Sequence, residues 1–312
     1  MRAYERLLNY VKVWTTSDEE STTSPTTARQ FDLAKQLVEE MKGMGIEDSM
    51  MDEYGYVYGH IPATPGYENC TAIGFLAHMD TAPDYSGENV NPQIIENYDG
   101  KDVVLGTSGR TLTVKDFPSL KNMTGKTLIT TDGTTLLGAD DKAGIAEIMT
   151  VAEELLKGDI PHGNVCLAFT TDEEVGSGAC HMDLERFGAP YAYTVDGGPE
   201  GEIQFENFNA ASAEFAIHGV NVHPGEAKDI MVNSMKIAME LQGMLPEQEA
   251  PEHTEGYEGF FHLMEMNGSV EETTMSYLIR EFDAEKYEAR KALMQEITAK
   301  INAKYGEGTV EL

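Results

Sequence analysis

Four short segments place acidic residues, in one case with a histidine, directly after apolar runs. They are "AHMD" with His78 and Asp80, "GADDK" with Asp140 and Asp141, "TDEEV" with Asp172, Glu173 and Glu174, and "VDGG" with Asp196. Adjacent carboxylates repel one another, and a carboxylate in a partly dry site tends to take up a proton rather than stay charged. A bound cation removes that conflict, and Zn²⁺ accepts both imidazole nitrogen and carboxylate oxygen as ligands. The residue types therefore predict a metal site.

The spacing inside each segment suggests how the ligands divide. His78 and Asp80 point the same way from a strand, so the histidine can bind a metal while the aspartate holds its other ring nitrogen. Asp140 stands just ahead of a predicted helix, where its carboxylate could bridge two cations. Of Glu173 and Glu174, one can bind a cation while the other acts on a water molecule. The third acid of that segment is expected to cap a helix or face solvent.

Each segment also has an ordinary structural explanation. Acids are common in the first turn of a helix, and an aspartate before two glycines is common in a turn. His223 follows a predicted strand in "VHPG" and is either a surface imidazole or a ligand-binding group. Arg280 could simply pair with Glu281 or Asp283. The metal site is favoured because all four acidic segments end a strand or a strand-turn unit.

The elements that must position these residues form an α/β pattern. Apolar segments predict strands over 71–80, 164–170 and 191–195, and helical spacing predicts a helix over about 141–157. Strands that alternate with helices indicate a mixed sheet flanked by helices. Because sites in open α/β sheets gather beyond the carboxyl ends of the strands, we expect the scattered ligands to converge.

From about residue 208 the pattern changes to strand, helix, two strands, helix and strand. This βαββαβ order is that of a ferredoxin-like domain. We therefore expect a catalytic α/β domain over 1–207 and a separate ferredoxin-like lid domain over 208–312.

The composition excludes several classes of partner. The 312 residues carry 54 acids against 22 bases, a net charge of −32, which argues against nucleic acids and anionic membranes. The N-terminal segment is charged throughout, and no apolar run reaches a membrane-spanning length, so a cytoplasmic protein is expected. The three cysteines have neither a disulfide nor a metal-binding spacing.

Longer segments resemble one family along the whole chain. "IGFLAHMDTAPDYSGENVNPQIIENYDG", "LLGADDKAGIAEIM", "AFTTDEEVGSGA", "YTVDGG" and "NVHPGEAKDIMVN" are similar to the peptidase T family. These are tripeptide aminopeptidases among the co-catalytic dizinc exopeptidases. The resemblance implies a zinc-exopeptidase fold with an inserted lid domain, short peptides as substrates and a homodimer as an expected assembly.

The resemblance also implies a role for each candidate residue. The metal ligands would be His78, Asp140 (bridging), Glu174 and Asp196, as matched by motif. Asp80 would orient His78, and Glu173 would be the general base. His223 would approach the substrate carbonyl oxygen, and Arg280 would hold the terminal carboxylate of the peptide. Two Zn²⁺ ions are expected per complete site, with Co²⁺ or Mn²⁺ as alternative metals.

One departure from the family is expected to matter. The family continues after the lid and supplies a last histidine ligand to the second zinc, whereas this sequence stops at "EGTVEL". The second zinc would then lack one ligand. Two other functions therefore stay open: a related dizinc exopeptidase or deacylase with another substrate, and a remnant that binds metal or peptide without turnover.

Overall fold

A computed structural model describes all 312 residues and divides them into two units, Met1–Gly201 and Glu202–Leu312. Each unit has its own hydrophobic core. No helix in either unit is long and apolar enough to cross a membrane. The assignment of residues 1–207 and 208–312 to a catalytic domain and a lid domain stays a prediction.

The first unit contains four helices and nine strands. The helices are α1 (Ala3–Tyr10), α2 (Gln30–Met44), α3 (Ala139–Leu156) and α4 (Leu184–Phe187). The strands are β1 (Met50–Met51), β2 (Val57–Ile61), β3 (Ile73–His78), β4 (Gln93–Ile95), β5 (Val103–Val104), β6 (Thr111–Leu112), β7 (Leu128–Thr130), β8 (Val165–Thr170) and β9 (Ala192–Thr194).

A five-stranded mixed sheet forms the centre of this unit, in the order β1-β2-β8-β3-β9. Strands β3, β8 and β9 are parallel, whereas β1 and β2 are antiparallel to their neighbours. His78 lies opposite Thr170, and Leu76 lies opposite Thr194. The three parallel strands therefore end at the same edge. The predicted mixed α/β sheet is confirmed.

Helices α2 and α3 supply much of the main core. Helix α2 buries Leu33, Leu37 and Met41 along one face, and α3 buries Ile145 and Met149 at the same helical spacing. Burying an aliphatic side chain of this size contributes about 1.5–3 kcal/mol. Because α3 packs against β3 in this core, the first residues of the helix are held close to the edge where β3 ends.

A small subdomain is inserted between β3 and α3. Strand β4 pairs with β7, and β5 forms a hairpin with β6. Tyr98, Val103 and Leu105 form its own small core.

The second unit is an antiparallel sheet with two helices. Its elements are β10 (Asn209–His218), α5 (Ser234–Gln242), β11 (Phe260–Gly268), β12 (Glu272–Glu281), α6 (Ala284–Tyr305) and β13 (Val310–Glu311). The strand order is β11-β12-β10-β13, and every pair is antiparallel. This is the predicted βαββαβ arrangement. Met275, Tyr277 and Ile279 alternate along β12 and are buried in the core that contains α5 and α6 residues.

Candidate metal centre

His78 is the common point of the acidic cluster at the carboxyl edge of the first unit's sheet. Its side chain is buried, and its Nε2 atom lies 2.9 Å from a carboxylate oxygen of Asp140. The same nitrogen lies 3.7 Å from Glu173 and 3.8 Å from Asp196. Three strand ends and the start of α3 therefore meet at one imidazole, as the sequence pattern predicts.

Asp80 is fully buried behind His78. Its backbone oxygen lies 3.0 Å from Nδ1 of His78, and its carboxylate lies 3.3 Å from the same nitrogen. The backbone N–H groups of Glu173 and Glu174 donate to the two Asp80 carboxylate oxygens, at 3.0 and 3.1 Å. One carboxylate thus contacts the histidine and also holds the backbone of both glutamates.

The start of α3 is shaped by its two aspartates. Asp140 and Asp141 have non-helical backbone angles, and the Asp140 side chain is exposed while Asp141 is buried. Asp141 accepts hydrogen bonds from the backbone N–H groups of His78 (3.1 Å) and Gly144 (3.2 Å). It therefore joins the helix to the end of β3. The sequence placed Asp141 with Asp140 among the potential metal ligands or as an acid of the first helical turn, whereas its observed partners are the backbone N–H groups of His78 and Gly144.

Gly144 allows close packing at this junction. A Cβ atom at this position would lie 1.8 Å from the Val195 carbonyl oxygen and 2.5 Å from a carboxylate oxygen of Asp141. Such distances are far inside van der Waals contact. The glycine therefore lets α3 approach the segment that carries Asp196.

The carboxyl groups of the cluster have raised pKa values, because they lie close together in a partly buried site. Burial, followed by the nearby Asp140 carboxylate, raises the pKa of Glu174 to about 7. Burial and then Asp196 raise the pKa of Asp141 to about 8. Burial also raises the pKa of Glu173 and of Asp196. These carboxyl groups resist ionisation together because each adds negative charge to a partly dry site.

His78 is the one basic side chain that pairs with these acids. Burial alone would lower its pKa, but the Asp80 hydrogen bond and the surrounding carboxylates raise it to about 10. Lys142 is buried nearby, yet its Nζ atom donates to the Val13 carbonyl oxygen at 2.8 Å, and burial lowers its pKa to about 7. No Lys or Arg side chain forms an ion pair with the cluster.

The residues present fit a bound cation. Two groups of potential ligands share His78, one with Asp140 and Glu174 and the other with Glu173 and Asp196. Within each group the ligand atoms lie within 4.8 Å of one another. Imidazole and carboxylate donors suit zinc and similar divalent metals, and a cation would supply the charge that the acids lack.

Asp172 differs from its two acidic neighbours. Its side chain is buried and bonds to Thr26 and Gln30 rather than to the cluster. The expectation that this acid could face solvent is wrong, because the segment before α2 covers it. The alternative expectation of a capping role is closer, since its carboxylate accepts hydrogen bonds at the start of that helix.

The remaining candidates, His223 and Arg280, lie in the second unit. His223 is exposed, and its Nδ1 atom accepts a hydrogen bond from the backbone N–H of Gly225 at 3.1 Å. The Arg280 guanidinium stacks over Phe208 at 3.8 Å and near Phe260 at 5.5 Å. Its Nε atom is buried without a hydrogen-bond partner. Arg280 forms no ion pair with Glu281 or Asp283, so this ordinary structural explanation of the residue does not hold.

Comparisons with known proteins find similarity to peptidases. A model for a peptidase dimerisation domain matches residues 205–309, and one for M42 glutamyl aminopeptidase matches residues 124–250. Peptidase T of Clostridium novyi is 56% identical over 309 residues, which cover 98% of this chain and 76% of the relative. The chain thus spans about three quarters of that relative's length.

Solved structures share the fold. The aminopeptidase PepT from Bacillus cereus aligns with a TM-score of 0.74 and 24% identity, over 99% of this chain and 74% of the other. A tripeptidase from Staphylococcus aureus aligns with a TM-score of 0.70 and 20% identity, over the same shares of the two chains.

Proposed function

Because this chain belongs to the peptidase T family of metal-dependent aminopeptidases, we propose that it removes the N-terminal residue from tripeptides. The observation that carries the proposal is the convergence of Asp140, Glu174 and Asp196 on His78 at the sheet edge. The Staphylococcus aureus structure with this fold is that of a tripeptidase, which supports the choice of substrate.

In this proposal His78, Asp140, Glu174 and Asp196 would hold the zinc. Bound zinc would polarise the scissile carbonyl group and make a water molecule easier to deprotonate. The protein holds His78 in place through Asp80, whose contact with Nδ1 leaves Nε2 to face the ligand groups.

Glu173 is the proposed general base. Its side chain is about half exposed, and its carboxylate lies 3.7 Å from His78 Nε2, so it can reach both the cluster and an incoming substrate. Burial raises its pKa above the ordinary value, which makes it a stronger base than an exposed glutamate. Glu173 would take the proton of the attacking water and pass it to the leaving amine.

His223 and Arg280 are the proposed substrate contacts of the second unit. Because Nδ1 of His223 accepts a backbone N–H, a neutral ring carries its proton on Nε2 and can donate to a carbonyl oxygen. Arg280 has no carboxylate partner within the chain, and its stacked guanidinium presents a planar donor group. Such a group suits the terminal carboxylate of a short peptide.

A homodimer is the proposed assembly. The match of residues 205–309 to a peptidase dimerisation domain supports it. The cytoplasmic location remains a prediction from the sequence.

Metal content and peptide hydrolysis, measured on the same preparation, test the proposed function. We expect about two zinc ions per chain at saturation and release of free methionine from Met-Gly-Gly. An N-acetylated peptide of the same sequence is the control, because a deacylase would act on it while an aminopeptidase requires the free amine. Zinc binding without release of methionine would contradict the aminopeptidase proposal and favour a binding remnant.

A further inference from the structure

The buried Asp172 carboxylate accepts hydrogen bonds only. The backbone N–H of Thr26 donates to it at 2.9 and 3.1 Å, and the Thr26 hydroxyl donates at 2.6 Å. The side-chain amide of Gln30 donates at 2.6 Å. Every partner is a donor and the group is 2% exposed, so an acceptor-only side chain is required at this position.

Gln30 binds Asp172 through both ends of its amide. Its Nε2 donates to the carboxylate, and its Oε1 accepts the backbone N–H of Asp172 at 3.2 Å. Gln30 is fully buried at the first turn of α2, and Leu33 anchors that turn in the core. The end of β8 is therefore fixed to a rigid element through Asp172.

Asp172 lies where the backbone bends after β8, immediately before the two glutamates. Its φ of 59° lies in the left-handed region, which aspartate and asparagine tolerate better than most residues. After this turn, the N–H groups of Glu173 and Glu174 reach the Asp80 carboxylate. The turn is thus held from two sides, by Asp80 at the cluster and by Asp172 at α2.

We propose that Asp172 is a positioning residue that fixes the turn presenting Glu173 and Glu174 to the metal site. It acts through the backbone of its neighbours and touches neither substrate nor metal. This inference rests on the proposed hydrolytic function, because kcat can be measured only if the protein hydrolyses peptides. Loss of hydrogen-bonded support behind a metal ligand typically costs about 10- to 100-fold in metal affinity or activity.

The test is Asp172→Asn, which keeps the side-chain shape and tolerates the same φ but places an N–H group against the donors of Thr26 or Gln30. We expect kcat to fall by about 10- to 100-fold with little change in KM, together with weaker zinc binding. In the metal-free protein, amide hydrogen exchange at Glu173 and Glu174 should become faster. The exchange measurement depends neither on bound zinc nor on hydrolytic activity.

Leu37→Ala is the matched control, because it weakens the core under the same helix without touching the turn. After correction for the folded fraction, it should keep the kcat and the zinc affinity of the unaltered protein. The proposal is overturned if Asp172→Asn keeps normal kcat and zinc affinity, or if its losses match those of Leu37→Ala at equal stability.

A second variant keeps the proposal testable if Asp172→Asn does not fold. Gln30→Met removes both amide contacts while it keeps a side chain of similar length, and it should show the same kcat loss and faster exchange at Glu173 and Glu174. Unchanged exchange would contradict the proposal. If the unaltered protein does not hydrolyse peptides, the proposed function fails, whereas the exchange and zinc measurements still decide the role of Asp172.

Discussion

Buried carboxylates differ between the two units in whether a basic side chain pairs with them. In the second unit, Glu281 is buried against Arg290 at 2.9 Å, and Arg290 also bonds Glu249 and the Gly259 carbonyl oxygen. Burial would raise the pKa of Glu281, but the hydrogen bonds from Arg290 and from backbone N–H groups lower it. At the sheet edge of the first unit, burial raises the pKa of Glu174 to about 7, and no arginine or lysine pairs with the cluster. The paired acid is structural, whereas the unpaired acids indicate a place for a cation.

Glu173→Gln should have the largest effect on catalysis and almost none on stability. Removal of the proposed base should lower kcat by about 10²- to 10⁴-fold. Zinc content should stay the same, and stability should be equal or slightly higher because one like charge leaves the cluster. The measurements are kcat, metal content and thermal unfolding.

The control for this change is Glu147→Gln, an exposed glutamate of α3 that lies outside the cluster. It should behave as the unaltered protein in all three measurements. If the Glu173→Gln variant hydrolyses peptides at the normal rate, Glu173 is not the general base.

Gly144→Ala should push the start of α3 away from the segment that carries Asp196. The added Cβ atom meets the Val195 backbone oxygen, which cannot rotate away as a side chain can, so we expect a loss of about 3 kcal/mol in unfolding free energy. Zinc affinity should fall as well, because Asp140 and Asp196 move apart. Chemical denaturation and zinc titration measure the two effects.

Gly43→Ala in α2 is the matched control, since no atom lies within 4 Å of its added Cβ. That change should instead stabilise the protein slightly, because alanine favours a helix over glycine by about 1 kcal/mol. Equal effects of the two alanine substitutions would show that the close packing at Gly144 is unimportant.

Glu281→Gln should affect stability in the second unit and leave zinc binding in the first unchanged. We expect a loss of about 2 kcal/mol, because Arg290 keeps Glu249 but loses its buried partner. Since the pKa of Glu281 is lowered on folding, its contribution is present above its unfolded pKa and disappears as the pH falls through its folded pKa. The variant should therefore lose less stability on acidification.

Unfolding of both proteins between neutral pH and about pH 3 measures this difference, since the unperturbed pKa of glutamate is about 4.3. Parallel pH curves for the two proteins would contradict the proposed contribution of the ion pair.

The sequence predicted the elements with strong periodicity and the convergence of acidic residues at their ends. The parallel strands β3 and β8, the helix α3 and the βαββαβ order all follow from regular apolar spacing. The convergence on His78 follows because parallel strands end at a shared edge. The inserted subdomain was not predicted, because its strands have only two or three residues and carry almost no periodicity.

The roles of Asp141 and Asp172 could not be predicted because their partners are remote. Asp141 bonds the backbone of a residue 63 positions away, and Asp172 bonds Thr26 across 146 positions. The alternative explanation of Arg280, an ion pair with Glu281, does not hold for a local reason. Neighbouring residues on a strand face opposite sides, so Glu281 meets Arg290 while Arg280 stacks on Phe208.

Anomalous diffraction at the zinc absorption edge, from crystals grown with Zn²⁺, tests the central claim most directly. With 54 acidic residues, the chain can bind zinc weakly at many surface carboxylates, so the position of the metal matters more than its amount. We expect strong peaks beside Nε2 of His78 and the carboxylate of Asp140, and their loss in His78→Ala crystals. Zinc peaks that lie only on other acidic surfaces, with none at His78, would contradict it.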